Sequence, residues 1–116
     1  MYQVKKSRRN KYNAKSTCYN GIYYHSKFEA GYAEELDWRL KAKDIKSVER
    51  QVKISLDVNG RHITNYFIDF VITHNDDSIE YVEVKGFETE VWRLKWKLFE
   101  AIYNEIEPGA VLTVVK

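Results

Sequence analysis

A chain of 116 residues with a formal net charge of +2 has room for one domain and a small core, so self-association, as a homodimer for example, is an expectation. No apolar run reaches a membrane-spanning length and no signal-peptide pattern is visible, so the expected setting is cytoplasmic, without a membrane partner. A single cysteine, Cys18, excludes an internal disulfide and a cysteine-based zinc cluster, and it reads as a packed or idle thiol.

The small net charge conceals an asymmetry. Residues 1–20 hold six basic groups (Lys5, Lys6, Arg8, Arg9, Lys11 and Lys15) and no acidic one, while the remainder holds 13 basic and 17 acidic groups. Residues 1–14 read as a flexible basic arm and 15–116 as the folded body. Such an arm suits a polyanion partner. Tyr2, Tyr12 and Tyr19 interleave with the cations and could stack on bases. A disordered, solubilising tail has the same composition.

Strand-like runs at Lys15–Tyr19 and Ile22–His25 flank Asn20-Gly21, the dipeptide of a tight primed hairpin turn. A helix is predicted from about Lys27 to Lys43. Ser26 stands at the N-cap with Glu29 three residues on, the capping-box spacing, and Phe28, Tyr32, Leu36 and Leu40 offer a core stripe. Ser47–Val58 reads as a strand with Val48, Val52, Ile54, Leu56 and Val58 as its apolar members, closed by the turn Asn59-Gly60. Tyr66–Thr73 and Ile79–Gly86 follow as two strands around the polar turn His74–Ser78. Thr89–Ile106 is a second helix, ended by Pro108-Gly109, and Ala110–Lys116 a last strand. Three strands joined by tight turns make an antiparallel meander, and a strand reached through a helix can pair in parallel. The expected fold is α/β, a mixed sheet flanked by helices in the order αβββαβ after an N-terminal hairpin.

The chemistry concentrates in the central hairpin. Folded about Asp76, it sets Asp69 opposite Glu83, with Lys85 beside them on the face of Ile79, Tyr81 and Glu83. Opposed like charges destabilise a sheet, and a carboxylate among Phe67, Ile68, Phe70 and Val71 needs a partner or a metal. A one-residue slip would send Asp69 to the other face, leaving an ordinary hairpin with edge charges. Mg²⁺ commonly takes one or two carboxylates plus phosphate oxygens, so Asp69, Glu83 and the carbonyl of Val84 form a candidate ligand set. Lys85 could hold or deprotonate the attacking water, or stabilise charge on a phosphate. Together these parts suit metal-dependent phosphodiester hydrolysis.

Two residues carry alternative roles. Glu29 completes the capping box, or reaches the metal site from the start of its helix. Lys95 falls in the apolar arc of the second helix with Val91, Leu94, Leu98 and Ile102, opposite Arg93, Lys97, Glu100 and Asn104. It snorkels to the core edge, or turns towards the carboxylates or a bound phosphate as a catalytic group. The stripe Trp92, Trp96, Phe99 and Tyr103, joined by Trp38 of the first helix, reads as core packing or a dimer surface. His25, His62 and His74 show no ligand spacing. Gly86 would let the backbone leave its strand.

Asp69 followed by Glu83-Val84-Lys85, with Glu29 in a preceding helix, resembles the signature of the PD-(D/E)xK (restriction-endonuclease-like) nuclease superfamily, and the element order resembles its common core. Ser26–Glu29, Gln51, Tyr66–Asp69 and Tyr81–Gly86 look most like its small phage-encoded endonucleases. Holliday-junction-resolvase-like proteins and transposon end-cleaving subunits are similar. Ile68 stands where the family often has proline. The resemblance implies a Mg²⁺-dependent DNA endonuclease, with Mn²⁺ as a substitute, that is structure-selective for branched DNA. It also implies that Glu29 takes part in the metal site. The competing reading is a nucleic-acid-binding module that keeps the fold without cleaving.

Overall fold

Residues 17–24 and 26–116 are described by a computed structural model of the chain. The basic residues Lys5, Lys6, Arg8, Arg9, Lys11 and Lys15 lie outside the described residues, as do Tyr2, Tyr12 and His25.

Two Asn-Gly pairs set the hairpins. Asn20 and Gly21 have φ of 53° and 79°, and Asn59 and Gly60 have 53° and 78°, the left-handed pair that a type I′ turn demands. The first turn joins β1 (Thr17–Tyr19) to β2 (Ile22–Tyr24). The second joins β3 (Ser47–Val58) to β4 (Arg61–Thr73). Between the hairpins lies α1 (Lys27–Lys41), where the Ser26 hydroxyl accepts from Glu29 N–H at 3.1 Å and forms the cap its sequence promised. β5 (Ile79–Val84) follows β4 antiparallel, and β6 (Val111–Val115) returns through α2 (Glu90–Ile106) to lie parallel to β5. The main sheet has the order β3-β4-β5-β6, so the chain is α/β with a mixed four-stranded sheet and two helices. Among the described residues, no helix is long and apolar enough to cross a membrane.

The helices take opposite faces of this sheet. Ala30, Ala33 and Leu36 of α1 pack with Phe70, Ile72, Val82 and Val84. Trp96 and Phe99 of α2 pack with Ile54, Leu56, Tyr66, Ile68, Val71 and Tyr81. Phe99 is fully buried, and its ring meets Tyr81 edge-on with centroids 5.1 Å apart. Phe99→Ala is expected to cost about 3–5 kcal/mol, the usual loss for a large aromatic truncated in a core. Urea unfolding would measure it as a fall in midpoint with an unchanged slope.

The apolar members of β3 do not share a face. Val48 packs on the α1 side, whereas Val52, Ile54 and Leu56 pack on the α2 side. β4 switches at the facing rung, because Ile68 belongs to the α2 side and Phe70 to the α1 side. Strict alternation forbids either change of side unless a strand turns over locally. Gln51 does so: its φ is 50°, and it interrupts the pairing between Arg50↔Phe70 and Val52↔Ile68.

Three packing expectations are corrected. Phe28 is exposed, and the buried line of α1 runs Glu29, Ala30, Ala33, Leu36. A spacing of four advances 40° too far at each step, so Phe28 drifts off the stripe. On α2 the aromatic stripe faces the sheet with Leu98 and Ile102 packed beside it, while the first half of the aliphatic arc, Val91 and Leu94, is exposed. Trp38 cannot join that stripe, since α1 and α2 lie on opposite faces; it is exposed, with Lys41 Nζ 5.2 Å from its ring centroid.

Candidate active site

The β4–β5 register is the expected one, with Phe70↔Val82 and Val71↔Tyr81 as neighbouring rungs. One step further, side chains take over the ladder. Asp69 N–H donates to Glu83 Oε2 at 2.8 Å, and Val84 N–H donates to Asp69 Oδ2 at 2.9 Å. Each carboxylate thus holds a backbone donor of the opposite strand, which ties both acids to one rung.

Glu83 is 1 % exposed and faces α2. Its Oε1 accepts from the Tyr66 hydroxyl at 2.6 Å and from Trp92 Nε1 at 2.7 Å. Trp92 Nε1 also lies 2.9 Å from the Tyr66 oxygen, closing a triangle. Burial, reinforced by the Glu83 charge, pushes the Tyr66 phenol far above its ordinary range, so it remains a donor. Lys85 Nζ sits 5.1 Å from the centroid of the Trp92 ring, a cation–π distance.

Glu29 is the other buried acid, 5 % exposed at the first turn of α1. Gln51 links it to Asp69: its Nε2 lies 3.3 Å from Glu29 Oε2 and 3.3 Å from Asp69 Oδ1. The helix start thus carries a cap and, separately, a carboxylate linked to β3. The Ser26 half of the box forms, while the Glu29 carboxylate accepts from Gln51.

The electrostatics are those of crowded acids. Burial, then the Glu29 charge, raises Asp69 to about 6, opposed by the Val84 N–H and Lys85. Burial, then the Asp69 charge, raises Glu83 to about 7, opposed by the Tyr66 hydroxyl and Lys85. A divalent cation is the ligand that would relieve this repulsion. Among the described residues, no three His, Cys, Asp or Glu side chains form a metal-holding group. Asp69, Glu83 and the Val84 carbonyl are the oxygen donors that could serve a Mg²⁺ ion there. Such a set suits an ion that usually takes one or two carboxylates and keeps waters.

The predicted set is thus gathered only in part. Glu29, Asp69, Glu83 and Lys85 share one electrostatic neighbourhood. Lys95 is half-buried on α2 and makes no hydrogen bond or ion pair with a described residue; Lys85 is the lysine whose charge acts on the two acids. His62 and His74 pair with Asp57 and Glu80, away from this cluster. Gln51, Tyr66 and Trp92 complete the site without having been assigned roles from chemistry. For Tyr66 and Trp92 a signal existed, since a buried carboxylate needs donors and both carry one on an apolar body.

A family model described as "Protein of unknown function (DUF1064)" matches residues 9–116. No curated protein and no solved structure matches the chain. With nearly its whole length covered by that model, this chain belongs to the DUF1064 family.

Proposed function

We propose that the chain is a divalent-metal-dependent DNA endonuclease of the PD-(D/E)xK (restriction-endonuclease-like) type, selective for branched DNA. The observation that carries the reading is the β4–β5 rung. The buried Glu83 carboxylate accepts from Asp69 N–H, the half-buried Asp69 carboxylate accepts from Val84 N–H of the neighbouring strand, and both acids lie in the field of Lys85. The mixed sheet reached in the order helix, three strands, helix, strand supports it, as does Glu29 at the start of α1.

On this reading Asp69, Glu83 and the Val84 carbonyl hold Mg²⁺ or Mn²⁺, with Glu29 as an accessory. The ion would activate water and neutralise phosphate charge. Tyr66 and Trp92 fix the orientation of Glu83 through Oε1. The Trp92 ring steadies the Lys85 ammonium, which offsets negative charge at the reacting phosphate. The basic residues of 1–15 supply sequence-independent phosphate contacts.

Labelled Holliday junctions, flaps and linear duplexes incubated with Mg²⁺, Mn²⁺ or a chelator test the proposal. Cleavage with metal, none with chelator and a preference for branched substrates are expected. DNA that is bound and never cut would overturn the enzyme reading in favour of a binding module. Deleting residues 1–14 should weaken binding and flatten its salt dependence, because each lost phosphate contact removes counterion release. An unchanged slope would exclude the arm as a DNA contact.

A further inference from the structure

Three features converge on Gln51. Its φ of 50° is left-handed, in the middle of a long strand, for a residue with no special tolerance of that region. The strand turns over at this rung, with Val48 on one face of the sheet and Val52 on the other. Its amide nitrogen lies 3.3 Å from one oxygen of each of two acids, Glu29 on α1 and Asp69 on β4. A sheet-forming role explains none of these, since an unstrained strand would pair as well and leave the amide elsewhere.

A strained backbone persists where surrounding structure holds it, and it is common at sites where geometry matters more than stability. The strain here has an identifiable product. The amide NH₂ carries two hydrogens, enough to serve two acceptors at once. It gives Glu29 and Asp69 a shared neutral donor where two carboxylates would otherwise repel across the gap. Asp69 is then restrained at both oxygens, by Gln51 at Oδ1 and by Val84 N–H at Oδ2. Restraining ligand side chains before the ion arrives lowers the ordering cost of binding it.

We infer that Gln51 is a positioning residue for the metal site: its left-handed backbone aims an amide that holds Glu29 and Asp69 together, ready to receive a divalent cation. This rests on the endonuclease reading above for the site, though not for the reaction catalysed there. The role differs from that of a ligand, because the amide nitrogen donates and cannot coordinate.

Gln51→Gly separates the role from simple packing. Glycine adopts positive φ without strain, so the variant keeps the left-handed turnover of the strand and loses the side chain with its amide. Calorimetric titration with Mg²⁺ should show a dissociation constant at least about fivefold above the parent's, with the metal-free melting temperature unchanged or higher. Should Gln51→Gly fail to fold, Gln51→Asn serves. Asparagine tolerates the left-handed region, and its side chain is one methylene too short to span both acids. The same rise in dissociation constant is expected. Unchanged or tighter Mg²⁺ binding in the folded variant would overturn the inference. Asp69→Asn, titrated in parallel, keeps the two ideas apart. If it binds Mg²⁺ as the parent does, the metal site itself is misassigned. If it loses binding while the Gln51 variants do not, only the role of Gln51 falls.

Discussion

Asp69→Asn is expected to lower metal-dependent DNA cleavage by on the order of 10³-fold or more while raising the melting temperature. The two effects have one origin. Asparagine has the shape of aspartate, and its amide oxygen can still accept from Val84 N–H, now 2.9 Å from Asp69 Oδ2. Gln51 can rotate its amide to offer an oxygen to the new NH₂, so the bridge to β3 survives with its polarity reversed. What disappears is a half-buried negative charge near Glu83 and Glu29, the charge whose desolvation and neighbours push Asp69 up to about 6. The fold gains by losing that repulsion, and the site loses a carboxylate proposed to hold the metal.

Cleavage rates and thermal melts on the same preparation check both halves. DNA binding should persist, because the phosphate contacts proposed for the basic residues of 1–15 would not pass through Asp69. A variant that cuts as fast as the parent would remove Asp69 from the mechanism. One that is inactive and markedly less stable would mean that its carboxylate serves the fold rather than the chemistry.

Much of this arrangement can be read without coordinates, and the parts that cannot share a cause. Helix starts are local: the caps Ser26 and Thr89 each bond a backbone N–H three residues on, which is a sequence-scale event. The hairpin turns are local too, because Asn-Gly tolerates the left-handed pair. With the turn around Asp76 located, the pleat carries the register outward and brings Asp69 to Glu83. The reversal at Gln51 has no such marker, since glutamine signals neither a turn nor a bulge, and only the packed surroundings impose φ of 50° there. The face of α2 was ambiguous for another reason. Its aromatic and aliphatic stripes both have helical spacing, and the partner surface decides between them. Tyr66 and Tyr81 project from the sheet and receive Phe99 and Trp96 rather than Leu94, which is 70 % exposed. Lys95 turned on that same choice, because the predicted apolar arc around it was not the buried one.

Stability should fall as pH rises from about 4 to about 7 in the absence of metal, and Mg²⁺ should restore it only at the upper end. The ordinary values are 3.8 for Asp69 and 4.5 for Glu83, against about 6 and about 7 in the folded chain. Between these limits the folded state holds protons that the unfolded state has released, so the derivative of unfolding free energy with pH is negative. Below about 4 both states are protonated and the penalty is absent; above about 7 both are ionised and it is complete. Its size is on the order of 3 kcal/mol for each carboxylate, at about 1.4 kcal/mol per unit. A divalent ion binds the ionised carboxylates, so it competes with protons and its stabilisation grows through the same window. At one hundred times its dissociation constant it would contribute about 2.7 kcal/mol, comparable with the penalty at one carboxylate. Thermal melts at pH 5 and pH 8, with chelator and with saturating Mg²⁺, provide the four conditions needed. The expected pattern is a lower metal-free melting temperature at pH 8 than at pH 5, with a Mg²⁺ shift large at pH 8 and small at pH 5. In Asp69→Asn the difference should shrink on both axes. A Mg²⁺ shift of equal size at the two pH values, or one that survives in Asp69→Asn, would place the ion somewhere other than the rung shared by Asp69 and Glu83.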